Sequence, residues 1–235
     1  MGLMDNIGVH FDAAATKLSD GWLATYGVRI KTLSDDRRDA YRQISALSRE
    51  AQDVEMVQPL SVSERTSVRE ADGREHKLLT YRLHLLCDDK GEYPAELNAW
   101  ERDVPKAELK RPGLLGWYRN PNRPTQDSLG VAYMNSGETR MMRPDFLFFA
   151  DAGDGRVVVD IVDPHGDYLA DSLPKLVGLA AYANRHAGVF RRVLAVAENG
   201  GKLRAVEPTQ RDVQAALQSA DSAKSLCEAL ANDFV

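Results

Sequence analysis

Cysteine is almost absent: among 235 residues only Cys87 and Cys227 carry a thiol. Two thiols so far apart supply neither a disulfide framework nor a structural zinc site, so the fold has to rest on its hydrophobic core. Long apolar runs are missing too. None approaches the roughly 20 residues of a membrane span, and Met1-Gly2-Leu3-Met4-Asp5-Asn6 has no basic flank leading into an apolar stretch. A cytoplasmic protein is the expectation. An excess of basic charge is missing, with 30 lysines and arginines against 35 acidic residues, and the net charge of −5 is not that of a nucleic-acid binder taken whole. There is no Gly-x-x-x-x-Gly-Lys-Ser/Thr phosphate loop, which excludes a P-loop ATP motor. A dinucleotide fingerprint, a Gly-x-Ser-x-Gly elbow and a His-Glu-x-x-His helix are absent as well. No repeat and no low-complexity linker interrupts the chain.

What the chain does carry is concentrated between residues 143 and 166. Arg143-Pro144-Asp145-Phe146 opens an apolar run, Asp151 to Gly155 is rich in turn formers, and Val157 to Val162 is β-branched. This spacing predicts an antiparallel hairpin whose strands are largely buried. Alternation along the second strand puts Asp163 and His165 on one face and Asp160 on the other. Gly166 then frees the backbone to turn away. Acidic residues at the ends of adjacent strands suit a magnesium ion, which takes one or two protein carboxylates and keeps its other positions for phosphate oxygens and water. Asp160 competes with Asp163, because a carboxylate inside a valine run is also expensive to bury alone. The place of Gly166 favours Asp163.

These residues resemble the PD-(D/E)xK nuclease superfamily, and more narrowly the C-terminal region of helicases related to the type III restriction subunit. In that pattern Pro-Asp begins one strand, Glu-x-Lys-Gly ends the next, and an upstream helix supplies a glutamate. Asp145 matches the Pro-Asp aspartate, Asp163 the glutamate of Glu-x-Lys-Gly, and Glu101 the helix glutamate, with Glu96 as its competitor. Trp117-Tyr118-Arg119-Asn120-Pro121 matches the run that precedes the Pro-Asp strand. The resemblance covers roughly Ala95 to Leu194. It implies a restriction-endonuclease-like mixed α/β sheet flanked by helices, with Mg2+ or Mn2+ held by Glu101, Asp145 and Asp163 and the Pro164 carbonyl as a further ligand. It also implies a DNA endonuclease working with a helicase motor, in the same or a separate chain, within a restriction or phage-defence system.

One departure from the pattern bears on activity. His165 stands where the family carries lysine, and imidazole is mostly neutral at pH 7. His165 would act as base or ligand, or Lys175 would take over the role from the first turn of a helix expected over 171–186. The second function class is therefore a catalytically silent nuclease-like domain that binds DNA or docks onto a helicase body.

Charge distribution adds a DNA-contact expectation. Between Lys106 and Arg143 seven basic residues face three acidic ones, a local +4 that leaves −9 for the rest. Arg119, Arg123, Arg140 and Arg143 are the expected nucleic-acid contacts. Trp117 and Tyr118 are expected in the core.

Elsewhere the pattern predicts amphipathic helices over 10–26, with Phe11, Ala14, Leu18 and Trp22 on one face, and over 34–52. Strands over Val54–Leu60 and Leu78–Leu86, parted by the polar stretch Ala71-Asp72-Gly73-Arg74, are expected to form a long hairpin, followed by a helix from Tyr93 to Leu109 that Pro105 breaks or kinks. Phe190–Ala197 and Lys202–Val206 read as strands and Thr209–Ala231 as one helix. The expected division is an extension over 1–92 and a core over 93–235.

Overall fold

The structure, a computed structural model, describes residues 7–34, 37, 38, 41, 56, 65–125, 127–164, 172–199 and 201–234. Its contacts divide the chain into residues 1–52 and 53–235. In the first unit, helix α1 runs over Ile7–Lys31, longer at both ends than expected, with Arg29 and Lys31 complementing the dipole at its C-terminus. Ala14, Leu18 and Trp22, expected on a buried face, are exposed. The expected helix over 34–52 falls mostly outside the described residues, although Arg37, Arg38 and Tyr41 are helical. The strand expected over Val54–Leu60 also lies outside them, apart from Met56.

In the second unit the polar stretch, expected within a long hairpin, is the turn of a short one, in which β1 (Ser67–Arg69) pairs with β2 (Glu75–Lys77). Asp72 accepts the Arg74 backbone N–H at 3.0 Å, and Gly73 takes the positive φ that the turn demands. The strand expected over Leu78–Leu86 contracts to β3 (Leu79–Tyr81), which pairs with β4 (Tyr93–Ala95). Leu83, with φ 60°, ends it. The chain beyond stays on the sheet, since Trp117 donates its N–H to the Leu83 carbonyl and accepts from the Leu85 N–H, both at 2.9 Å. Residues 79–95 therefore pack in the same unit as the sheet.

Helix α2 (Ala99–Glu108) begins six residues later than expected because Tyr93-Pro94-Ala95 is strand and Asn98 is a helix cap. Asn98 Oδ1 accepts the Glu101 N–H, and Glu101 Oε2 accepts the Asn98 N–H, a reciprocal capping box. Pro105 does not break this helix, for the Leu109 N–H still reaches the Pro105 carbonyl at 2.9 Å.

The sheet has six strands in the order β12-β11-β10-β9-β8-β5: Asn232–Asp233, Lys202–Val206, Phe190–Asn199, Val157–Pro164, Phe146–Asp151 and Leu114–Arg119. The expected hairpin of β8 and β9 forms with Phe146 opposite Val162 and Phe148 opposite Asp160. β9 and β10 are parallel, which requires a crossover, and helix α3 (Ser172–Arg185) supplies it. Alternation then separates two cores. Trp117, Phe146, Phe148, Val162 and Val196 pack with Val104 of α2 on one face. Tyr118, Leu147, Ile161 and Val193 pack with Leu179 and Tyr182 of α3 on the other. With both faces covered, β9 reads as a nearly continuous apolar run.

A second hairpin, β6 (Val131–Asn135) and β7 (Glu138–Met142), forms within the basic stretch between Lys106 and Arg143. Ser136 and Gly137 both have positive φ, the requirement of a tight two-residue turn. The expected single C-terminal helix is two, α4 (Arg211–Leu217) and α5 (Ala223–Leu230), because Ser222 caps a new start by accepting the Ser225 N–H. Among the described residues no helix is long and apolar enough to cross a membrane.

Candidate functional site

Extending the β8–β9 register by one pair sets Asp145 opposite Asp163 at the end of the hairpin. The Asp145 N–H donates to Asp163 Oδ1 at 3.0 Å. Asn120, itself buried, holds the approach to this pair. Its Nδ2 donates to the carbonyls of Pro144 and Leu129, its Oδ1 accepts the Leu129 N–H, and its backbone N–H donates to the Asp145 carbonyl at 2.9 Å. The Trp-Tyr-Arg-Asn run thus has a structural logic: Trp117 Nε1 donates to the Arg82 carbonyl, Tyr118 Oη to the Asp127 carbonyl, and Asn120 pins the Pro-Asp corner.

Arg119 links the helix to the hairpin. Its Nη2 donates to Glu101 Oε1 at 2.7 Å, and its Nη1 pairs with Asp145 Oδ1 at 2.6 Å. The guanidinium carbon lies 4.7 Å from the centre of the Phe146 ring, a cation–π contact. The backbone N–H of Arg119 donates to Nε2 of the buried His84 at 2.9 Å, so the residue is held at both ends. Burial raises the Asp145 carboxyl from its ordinary 3.8 to about 6, with Arg119 pulling it down and the charges of Asp163 and Glu101 pushing it further up.

The structure therefore brings Glu101 and Asp145 together on Arg119, with Asp163 bonded to the Asp145 backbone beside them. Arg119 is thus engaged by two carboxylates of the cluster. Among the described residues, no group of three or more aspartate, glutamate, histidine or cysteine side chains is arranged to hold a metal ion. The guanidinium stands between Glu101 and Asp145, both Glu101 oxygens have donors, and Asp163 Oδ1 is bonded to the Asp145 N–H. As arranged, these residues do not fit the expected three-carboxylate magnesium site.

The remaining expected residues are scattered. His165 lies outside the described residues. Lys175 is half-buried in the first turn of α3. Glu96 is exposed and pairs loosely with Arg65 at 3.9 Å, apart from the cluster that Glu101 joins. Arg123 is exposed, and Arg140 is exposed and pairs with Glu138. Arg143 is half-buried, burial lowers its pKa, and its Nε has no hydrogen-bond partner among the described residues.

Asp160 belongs to a second ionic cluster, which the sequence reading missed. Arg191 and Arg192 both donate to it, and Arg192 Nη2 also donates to Glu108 Oε2 at 2.7 Å. Arg111 holds the other Glu108 oxygen. The signal was present in the adjacent pair Arg191-Arg192 beside a buried strand, since an acid in a valine run demands such partners.

Two clefts open beside Arg119. One, of about 370 Å³, is lined by Arg65, Tyr93, Glu96, Arg119 and Arg123. The other, of about 760 Å³, runs past Asn98, Glu101 and Arg102 to His76 and Lys77 of the first hairpin.

Fold and site define a mixed α/β protein with a carboxylate–arginine cluster at one end of a buried hairpin. The chain belongs to the YagJ family, whose model matches residues 82–235. It is similar to Protein YagJ of Escherichia coli (strain K12), 48% identical over 235 residues that cover 100% of this chain and 96% of that protein. No solved structure matches it.

Proposed function

We propose that this chain is a nuclease-like module that binds nucleic acid while its carboxylate cluster is closed by an internal cation. The chain order α2, β5, β8, β9, α3, β10, with the β6–β7 hairpin inserted after β5, supports this reading, since it runs helix, strands, helix, strand. The observation that carries the binding role is the cleft lined by Arg65, Arg119 and Arg123, a basic concavity beside Asp145 in an otherwise acidic chain. Arg119 is engaged and Arg65 is only loosely paired with the exposed Glu96 at 3.9 Å, so Arg65 and Arg123 are the cations a phosphate would meet. Binding should be sequence-tolerant and strongly weakened by salt. Arg65→Ala together with Arg123→Ala is expected to lower affinity for a labelled DNA duplex at least tenfold and to flatten the salt dependence. Unchanged affinity would remove this cleft as the contact surface.

The second reading is an active Mg2+- or Mn2+-dependent DNA endonuclease of a type III restriction-like or phage-defence helicase system in the cytoplasm. The opposition of Asp145 and Asp163 across the ladder favours it, since two carboxylates at adjacent strand positions suit a hydrated divalent ion. Nicking of supercoiled plasmid with manganese, abolished by Asp163→Ala, would establish this reading. Cleavage that appears only after His165→Lys would establish the silent one.

A further inference from the structure

The geometry points to Arg119 as the resident cation of the Glu101–Asp145–Asp163 cluster, standing where a divalent ion would otherwise bind and making the folded hairpin independent of metal. Its fork spans two carboxylates that belong to different elements, Glu101 in the first turn of α2 and Asp145 at the start of β8, with contacts of 2.7 and 2.6 Å. A planar guanidinium satisfies two such partners at once, which a lysine ammonium of one point charge does poorly. The side chain is 23% exposed, with Glu101 at 14% and Asp145 at 21%, so the pairs are only weakly screened by solvent. Phe146 backs the guanidinium, and His84 fixes the main chain from which it projects.

The carboxylates are committed in a way that resists replacement. Glu101 Oε2 closes the capping box of α2, so Glu101 cannot turn toward a metal without releasing the helix start. Asp163 Oδ1 is bonded to the Asp145 N–H, part of the corner that Asn120 holds. A divalent ion entering between Glu101 and Asp145 would have to displace Arg119 and break these bonds together. Arg119 is a positioning residue in this account, fixing the distance between helix and hairpin by neutralising charges that would otherwise repel.

The test uses the full chain, manganese as probe and thermal unfolding as readout. The wild type should melt at the same temperature in chelator and in manganese. Arg119→Met keeps the length and apolar stem but removes the charge, so it should melt lower in chelator and gain on the order of 5 °C at saturating manganese through binding to the native state alone. Adding Asp145→Asn to Arg119→Met should abolish that gain. A wild type that gains as much as Arg119→Met, or a folded Arg119→Met with no gain, overturns the assignment. Should Arg119→Met not fold, Arg119→Lys takes its place, with a manganese gain expected there and not in the wild type; equal gains, or none in the lysine variant, overturn it. The inference rests on the nuclease-like reading for its choice of probe. Loss of the DNA-binding result with this thermal pattern intact would remove that reading and leave the arginine's role standing.

Discussion

Asp160 and Glu108 are carboxylates with essentially no solvent contact, 1% and 0% exposed, and both lean on Arg192. Two buried anions need buried counter-charge, and Arg192, the least exposed of their three arginine partners, is the one that bridges both. Arg191 also reaches Asp160, but it is 39% exposed and touches one partner, so part of its attraction is lost to water. Arg192→Met should therefore lower unfolding stability by about 3–5 kcal/mol, leaving both acids short of a partner. Arg191→Met should lose less than half as much. Urea unfolding of the two variants checks this, and equal losses would show that Arg192 is not the bridge.

At the scale of elements, the contact between α3 and β6 decides how the crossover sits. Gly178 lies in the middle of α3, where alanine would normally favour the helix by about 1 kcal/mol. A Cβ at this position would stand 2.4 Å from the Tyr133 Cβ and 3.2 Å from its Cα. Backbone there cannot yield without separating the helix from the hairpin. Gly178→Ala is thus expected to destabilise the protein by about 1–3 kcal/mol against its helix propensity. A neutral or stabilising result in the same unfolding assay would mean that α3 moves away from β6 freely.

For the whole molecule, two buried groups set opposing dependences on pH. His84 stacks on Tyr93, and backbone N–H groups of Leu86 and Arg119 point at its two ring nitrogens, so a ring protonated at both would face donors with donors. Burial lowers its pKa from 6.5 to about 3. Its contribution to stability is complete above 6.5 and is lost as pH falls toward that folded value. Asp145 has the opposite sign. Its folded value of about 6 exceeds the ordinary 3.8, so its contribution is complete below 3.8 and is lost as pH rises through about 6. Between these limits the two largely cancel. Asp145→Asn removes one of them, and its stability relative to wild type should climb with pH over this window by on the order of 1 kcal/mol per unit. Unfolding midpoints across the window test this, and parallel curves for variant and wild type would refute it.

The β8–β9 hairpin, the α3 crossover helix and the opposite faces of Asp160 and Asp163 were legible in the sequence, because alternation and helical spacing are local patterns that burial on both sides leaves strong. So was the burial of Trp117 and Tyr118. The turn at Ser136-Gly137 and the caps at Asn98 and Ser222 are also local, and they were hidden only by a charge pattern and by apolar periodicity running past them. Only the tertiary structure decided what the charged residues do. A lone arginine reads as a surface cation until folding brings a carboxylate to it, and Glu101, Arg119 and Asp145 meet across separations of 18 and 26 positions in the chain. Asp160, Glu108 and Arg192 likewise meet only once β10 has crossed over to lie beside β9. Periodicity records which side of an element faces the core, whereas ion pairing depends on which elements become neighbours.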